Sequence, residues 1–282
     1  MNFMEQLLNK KKGVAPTVQK TLNQELKDRI VEFMDRDMFA LVIQPVVDFR
    51  TNTVFKGEAL SRLEHPERGT VFPDVFLPVI EELNLYSRFD RYIFQKCCVW
   101  MQASLASGER MECISCNFSR KTLAEPTIAE DLIRIANNYK VSHDKLAVEI
   151  TEREKSNNEP QLIENLKALR AAGFRVILDD YGTGVTSVND LLNFPLDIVK
   201  IDRSVLLSAK SEERKAAFRA LVELFVDLGA DVVCEGIETK EQDEFARSAG
   251  CHYGQGFLYF KPTRQNRVFE VIRQSNIGGQ NA

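Results

Sequence analysis

Eight polar residues share one property: each directly follows, or closes, a short apolar run. Glu58 follows Val54-Phe55-Lys56-Gly57, Asn117 follows Ile114-Ser115-Cys116, and Glu149 follows Leu146-Ala147-Val148. Asp179 and Asp180 follow Val176-Ile177-Leu178, and Lys200, Glu235 and Gln255 come next. Any one of them alone fits a helix cap or a solvated loop position, since Asp and Glu are common just before helices. Together they fit that description poorly. Five carboxylates brought to one place repel one another and raise their own pKa values, a cost that a bound divalent cation removes. Carboxylates with one amide, and without histidine or thiolate, suit a hard ion such as Mg²⁺, Mn²⁺ or Ca²⁺ better than Zn²⁺. The adjacent pair Asp179-Asp180 is followed at once by Tyr181-Gly182-Thr183-Gly184, where a break in the strand lets both carboxylates turn the same way. A carboxylate bridging two ions is the arrangement used for in-line phosphoryl displacement. Gly182 and Gly184 also suggest a nucleotide-phosphate loop, but a lone Gly-x-Gly without the third glycine is weak support.

Such residues need a scaffold that gathers the ends of many strands. Eight runs read as strands: Phe39–Val47, Val54–Leu60, Glu112–Phe118, Leu146–Thr151, Arg175–Asp179, Asp197–Ile201, Asp231–Cys234 and Tyr253–Leu258. The first two are joined by a segment too short for a parallel crossover, which predicts an antiparallel hairpin. Helical patterns separate the others, at Phe89–Ala106, Thr127–Tyr139, Glu159–Ala172, Glu212–Leu228 and Glu241–Ala249, with a closing helix at Gln265–Gln274. This alternation predicts an α/β fold, a modified TIM (β/α)8 barrel with an antiparallel first strand, whose chemistry lies at the carboxyl ends of its strands.

The 282 residues, 44% of them hydrophobic, suffice for one such barrel. The expected division is a leader and helix over 1–36, the barrel over 37–275 and a tail over 276–282. A net charge of −4 offers no basic field for a DNA or RNA polymer or an anionic membrane. The start of the chain lacks the apolar stretch of a signal peptide, and no run approaches a membrane span, so a cytoplasmic location is expected. Six cysteines in apolar segments are consistent with this; Cys113 and Cys116 form a lone CxxC on a strand and read as core filling. His65, His143 and His252 are not spaced as a ligand set and are expected at the surface or behind the ligands.

Several ordered motifs resemble the EAL domain family. They are Gln44-Pro45-Val46-Val47-Asp48, Gly57-Glu58-Ala59-Leu60-Ser61-Arg62, Cys116-Asn117-Phe118-Ser119, Glu149-Ile150-Thr151-Glu152, Asp179-Asp180-Tyr181-Gly182-Thr183-Gly184, Lys200-Ile201-Asp202, Cys234-Glu235-Gly236 and Gln255-Gly256-Phe257. The resemblance spans roughly Asp37 to Gln274 and implies hydrolysis of cyclic di-GMP to linear pGpG with Mg²⁺ or Mn²⁺, Ca²⁺ being an inhibitory occupant. It implies that Glu58, Asn117, Glu149 and Asp179 hold one ion and that Asp179, Asp180 and Glu235 hold a second. Lys200 would position or deprotonate the attacking water, with Gln255 beside it. Arg62 would grip a phosphate, Gln44 and the Leu60 backbone would touch the substrate, and Glu152 would brace the loop after Asp180. That loop, Gly182–Asn189, takes part in homodimerisation within the family; Val185 and Thr186 depart from the aromatic residue and serine that many members carry. Three other readings remain open at this point: a cyclic di-GMP receptor without turnover, an interaction protein, and a barrel enzyme using Lys200 as a Schiff-base nucleophile.

Overall fold

The computed structural model describes residues 16–151, 158–184 and 188–275. The chain divides into two compact units, Met1–Ala40 with Ser61–Phe89 and Leu41–Leu60 with Asp90–Ala282.

In the first unit the helix Pro16–Asp35 buries Leu26, Ile30 and Phe33, three residues at i, i+4 and i+7, which gives a helix one apolar stripe. Phe39 meets the rings of Phe76 and Phe89 edge-on, at 5.2 and 5.1 Å between centroids. The short strand β3 (Gly69–Val71) pairs antiparallel with the end of β2 (Thr53–His65). The sequence reading missed β3 and the helix Pro73–Glu82 that follows it. His65 is not at the surface. It is buried edge-on to Phe33, and its Nε2 lies 3.0 Å from Glu25 Oε1, on the helix. Arg68 donates to the other oxygen of Glu25 at 3.1 Å, so the charged pair ties helix to hairpin.

The second unit holds the barrel. Its strands are β1 (Phe39–Asp48), β2, β4 (Cys113–Phe118), β5 (Leu146–Thr151), β6 (Arg175–Tyr181), β7 (Ile198–Ile201), β8 (Asp231–Cys234) and β9 (Tyr253–Gly254). From β2 through β9 the neighbours are parallel. β1 closes the sheet by pairing with β2 and, antiparallel, with β9, as the short hairpin connection requires. A two-residue strand β10 (Thr263–Arg264) adds to the edge of β1. The expected last strand shrinks from Tyr253–Leu258 to two residues. β8 ends at Cys234, paired with Gly254, and a Cβ on Gly256 would lie 2.0 Å from the Ile237 carbonyl oxygen, so the chain turns at a glycine.

Strand periodicity separates core from rim. One apolar layer inside the barrel contains Cys113, Ala147, Ile177, Ile198, Val233 and Tyr253, one from each of six strands. Two residues further along each strand the side chain points the same way, and those positions are Ser115, Glu149, Asp179, Lys200, Glu235 and Gln255. Side chains of the opposite parity, such as Val232 and Cys234, pack against Phe218, Val222 and Phe225 of the helix Glu212–Asp227. No helix among the described residues is long and apolar enough to cross a membrane.

Candidate active site

The carboxyl ends of the barrel strands converge on Lys200. Its Nζ lies 2.8 Å from Asp179 Oδ1, 2.9 Å from Glu235 Oε1, 3.0 Å from Glu58 Oε2 and 3.3 Å from Glu149 Oε2, and the residue is 1% exposed. Amides complete the ring. Gln255 Nε2 donates to Glu58 Oε2 at 2.7 Å, and Asn117 Nδ2 donates to Glu58 Oε1 at 3.2 Å.

Local structure explains how each group gets there. β5 and β4 run in register with Glu149 opposite Asn117, which sets the two side by side. Ser119, two residues beyond Asn117, caps the next turn by accepting from Lys121 N, while the buried Asp90 carboxylate accepts from Ser119 N and Thr122 Oγ1. Those bonds fix the exit of β4. At Asp179-Asp180 the strand does not break; it continues to Tyr181 through a register shift against β7 between Leu178 and Tyr181, with Asp180 at φ 57°. Asp tolerates this left-handed conformation better than most residues, and a bulge re-aims a side chain that strict alternation would send to the other face. Both carboxylates can then serve one site.

Two acidic triads result. Glu58, Glu149 and Asp179 each place a carboxylate oxygen within 4.8 Å of the others, and so do Asp179, Asp180 and Glu235. They share Asp179.

The electrostatics of the cluster follow from burial and from Lys200. Burial, reinforced by repulsion from Glu149, Glu58 and Asp180, pushes the Asp179 carboxyl up to about 7 against the attraction of Lys200. Burial also raises Glu235 well above the ordinary carboxylate range. For Glu149 burial acts upward as well, but Lys200 and Lys56 outweigh it and hold the group at about 2. Burial alone would lower the Lys200 ammonium; the surrounding carboxylates instead raise it well above the usual lysine value. A lysine so held keeps its proton.

The residues fit a divalent cation by their own unsatisfied chemistry. Asp179 Oδ1 is buried and, although Lys200 Nζ is near, no donor reaches it along a hydrogen-bonding direction. Buried oxygens without a donor are uncommon, and a hard cation is the partner that an all-oxygen set of this charge prefers.

The other sequence candidates are placed differently. Gln44 donates to the Phe260 carbonyl at 3.3 Å, and Leu60 lies on β2. The Arg62 guanidinium sits over the Phe72 ring at 5.0 Å and donates to the Ser61 carbonyl. Glu152, Val185 and Thr186 lie outside the described residues. One participant escaped the sequence reading: Lys56, fully buried, donates to Glu149 Oε1 at 2.6 Å and to Ser115 Oγ at 2.7 Å. Its signal was a lysine inside an apolar run, two residues before Glu58 and therefore on the same face of β2.

Comparison with known proteins gives the same picture. The EAL domain family model matches residues 24–262. A relative named an uncharacterized signaling protein, from Caulobacter vibrioides, is 33% identical over 78% of this chain and 27% of its own length. The cyclic di-GMP phosphodiesterase NbdA of Pseudomonas aeruginosa is 27% identical over 91% of this chain and 33% of its own. This chain thus spans only about a third of the length of those relatives. The solved structure of the PaMucR phosphodiesterase in complex with c-di-GMP superposes with a TM-score of 0.79 at 28% identity, covering 86% of this chain and 99% of that one. On its matched span, its closed barrel and its rim of acidic residues, this chain belongs to the EAL domain family.

Proposed function

We propose that the chain is a metal-dependent phosphodiesterase that hydrolyses cyclic di-GMP to linear pGpG, using Mg²⁺ or Mn²⁺ with Ca²⁺ as an inhibitory occupant, and that it acts in the cytoplasm as a homodimer. The observation that carries the reading is the pair of acidic triads sharing Asp179 around Lys200 at one end of the barrel. Glu58, Asn117, Glu149 and Asp179 would hold one ion, and Asp179, Asp180 and Glu235 the other. When bound, such ions neutralise a phosphodiester and make a water more acidic.

The chain's own residues do the rest. Lys200 positions or deprotonates the attacking water, and as an ammonium it donates a hydrogen bond to that water or to charge developing on the phosphorus oxygens. The acidic triads around Lys200 weigh against the Schiff-base alternative, which has no use for a metal site. Gln255, held 2.7 Å from Glu58, orients that carboxylate and stands next to Lys200. Arg62 grips a substrate phosphate, Gln44 and Leu60 contact the dinucleotide, and Glu152 steadies the loop after Asp180.

The test is conversion of cyclic di-GMP to pGpG by the purified chain with Mg²⁺ or Mn²⁺. Tight binding of cyclic di-GMP without any pGpG would make it a receptor instead.

A further inference from the structure

Lys56 is a second lysine enclosed in the barrel, and the proposed chemistry leaves it unused. Lys56 and Glu149 are each 0% exposed. Lys56 Nζ is tied at 2.6 Å to Glu149 Oε1 and at 2.7 Å to Ser115 Oγ, whose hydroxyl in turn donates to the Gly57 carbonyl at 3.4 Å. The other oxygen of the same carboxylate, Glu149 Oε2, faces Lys200 and the acidic cluster. The two oxygens of Glu149 are therefore held unequally, Oε1 at 2.6 Å by Lys56 and Oε2 in a longer 3.3 Å contact with Lys200 on the side of the cluster.

That inequality matters for the choice of ion. Ca²⁺ takes six to eight oxygens and often grips a carboxylate by both, whereas Mg²⁺ demands a compact octahedron of single oxygens, and Mn²⁺ suits similar oxygen sites. A carboxylate oxygen held in a short charged hydrogen bond has one lone pair taken and its lean fixed, and it is offered to an ion less readily than the more loosely held oxygen beside it. We propose that Lys56 is a metal-selectivity determinant: by pinning Glu149 Oε1 it restricts Glu149 to one-oxygen ligation and disfavours Ca²⁺ relative to Mg²⁺ and Mn²⁺. The inference rests on the reading of the cluster as a divalent-ion site. Removing the ammonium also alters the charge felt by any cation, but Ca²⁺ and Mn²⁺ carry the same charge. That effect largely cancels in the ratio of their affinities, and the coordination effect does not.

The experiment measures Mn²⁺ binding to the full chain by the electron paramagnetic resonance signal of free Mn²⁺, with Ca²⁺ added as competitor. Wild type, Lys56→Met and Lys56→Gln are compared, each with and without Glu149→Gln. Lys56→Met is expected to shift the ratio of dissociation constants toward Ca²⁺ by about tenfold, the scale on which groups behind metal ligands act. Lys56→Gln keeps an N–H for Oε1 and should stay within about twofold of wild type. In the Glu149→Gln background Lys56→Met should leave the ratio unchanged, because the effect runs through that carboxylate; a purely structural role for Lys56 would persist there. Should the Met variant not fold, Lys56→Ala makes the same comparison with space left behind. Mn²⁺ binding that depends on Glu149 with a ratio indifferent to Lys56 overturns this inference alone. Mn²⁺ binding indifferent to Glu149 overturns the metal reading and this inference with it.

Discussion

Replacing Lys200 with Met removes the charge at the centre of the cluster while keeping much of the side-chain volume. The ammonium lies within 3.3 Å of four carboxylates and is 1% exposed, so without metal its loss leaves buried negative charge uncompensated. Breaking a buried pair from one side costs about 3–5 kcal/mol, which for a chain of this size lowers Tm by roughly 10 °C. The deficit depends on pH. Asp179 titrates near 7 in the fold against an ordinary value of 3.8. The stability from its retained proton is therefore fully present below 3.8 and is lost as pH rises through about 7. Without Lys200 the remaining carboxylates hold protons more tightly still, so the penalty should be largest at pH 8, smaller at pH 5, and reduced by Mn²⁺ supplying the missing charge. Thermal unfolding of both proteins in EDTA at the two pH values, repeated with Mn²⁺, measures this. With metal present, pGpG formation should fall about a hundredfold or more while cyclic di-GMP still binds. A Met variant melting within about 2 °C of wild type at pH 8 in EDTA, or hydrolysing at the wild-type rate, would refute the reasoning.

Chelation by EDTA should abolish pGpG formation, and Ca²⁺ should occupy the site yet support little turnover, as product assays with each ion will show. Glu58→Ala removes a carboxylate that Asn117, Gln255 and Lys200 all contact; turnover should drop and be partly restored by excess Mn²⁺, a rescue that Lys200→Met should not display. Metal-free wild type should lose stability on acidification as well, because Glu149, held near 2, contributes stability above 4.5 that disappears as pH falls toward 2. Urea denaturation across that range checks the sign. Glu152→Ala should lower activity without removing a ligand, and unchanged turnover in that variant would end the bracing role assigned to it.

The chain's amino-acid order alone was enough for the barrel and for most of its rim. Strand runs and helical patterns alternate clearly, Leu146–Thr151 and Asp231–Cys234 match the structure residue for residue, and polar groups at strand exits stand out because strand interiors are apolar. Three features were decided by tertiary contacts. Asp179 and Asp180 reach one site through a bulge against β7, and a register shift depends on the partner strand rather than on the residues that shift. His65 carries no local sign of burial; the helix bearing Glu25 and Phe33, some forty residues earlier, covers it. Lys56 shares a face of β2 with Glu58, but only closure of the sheet brings it to Ser115 and Glu149, 59 and 93 residues away. Periodicity specifies which side chains share a face of a strand, but which face becomes the interior, and which charges meet there, is fixed by the strands that close around it.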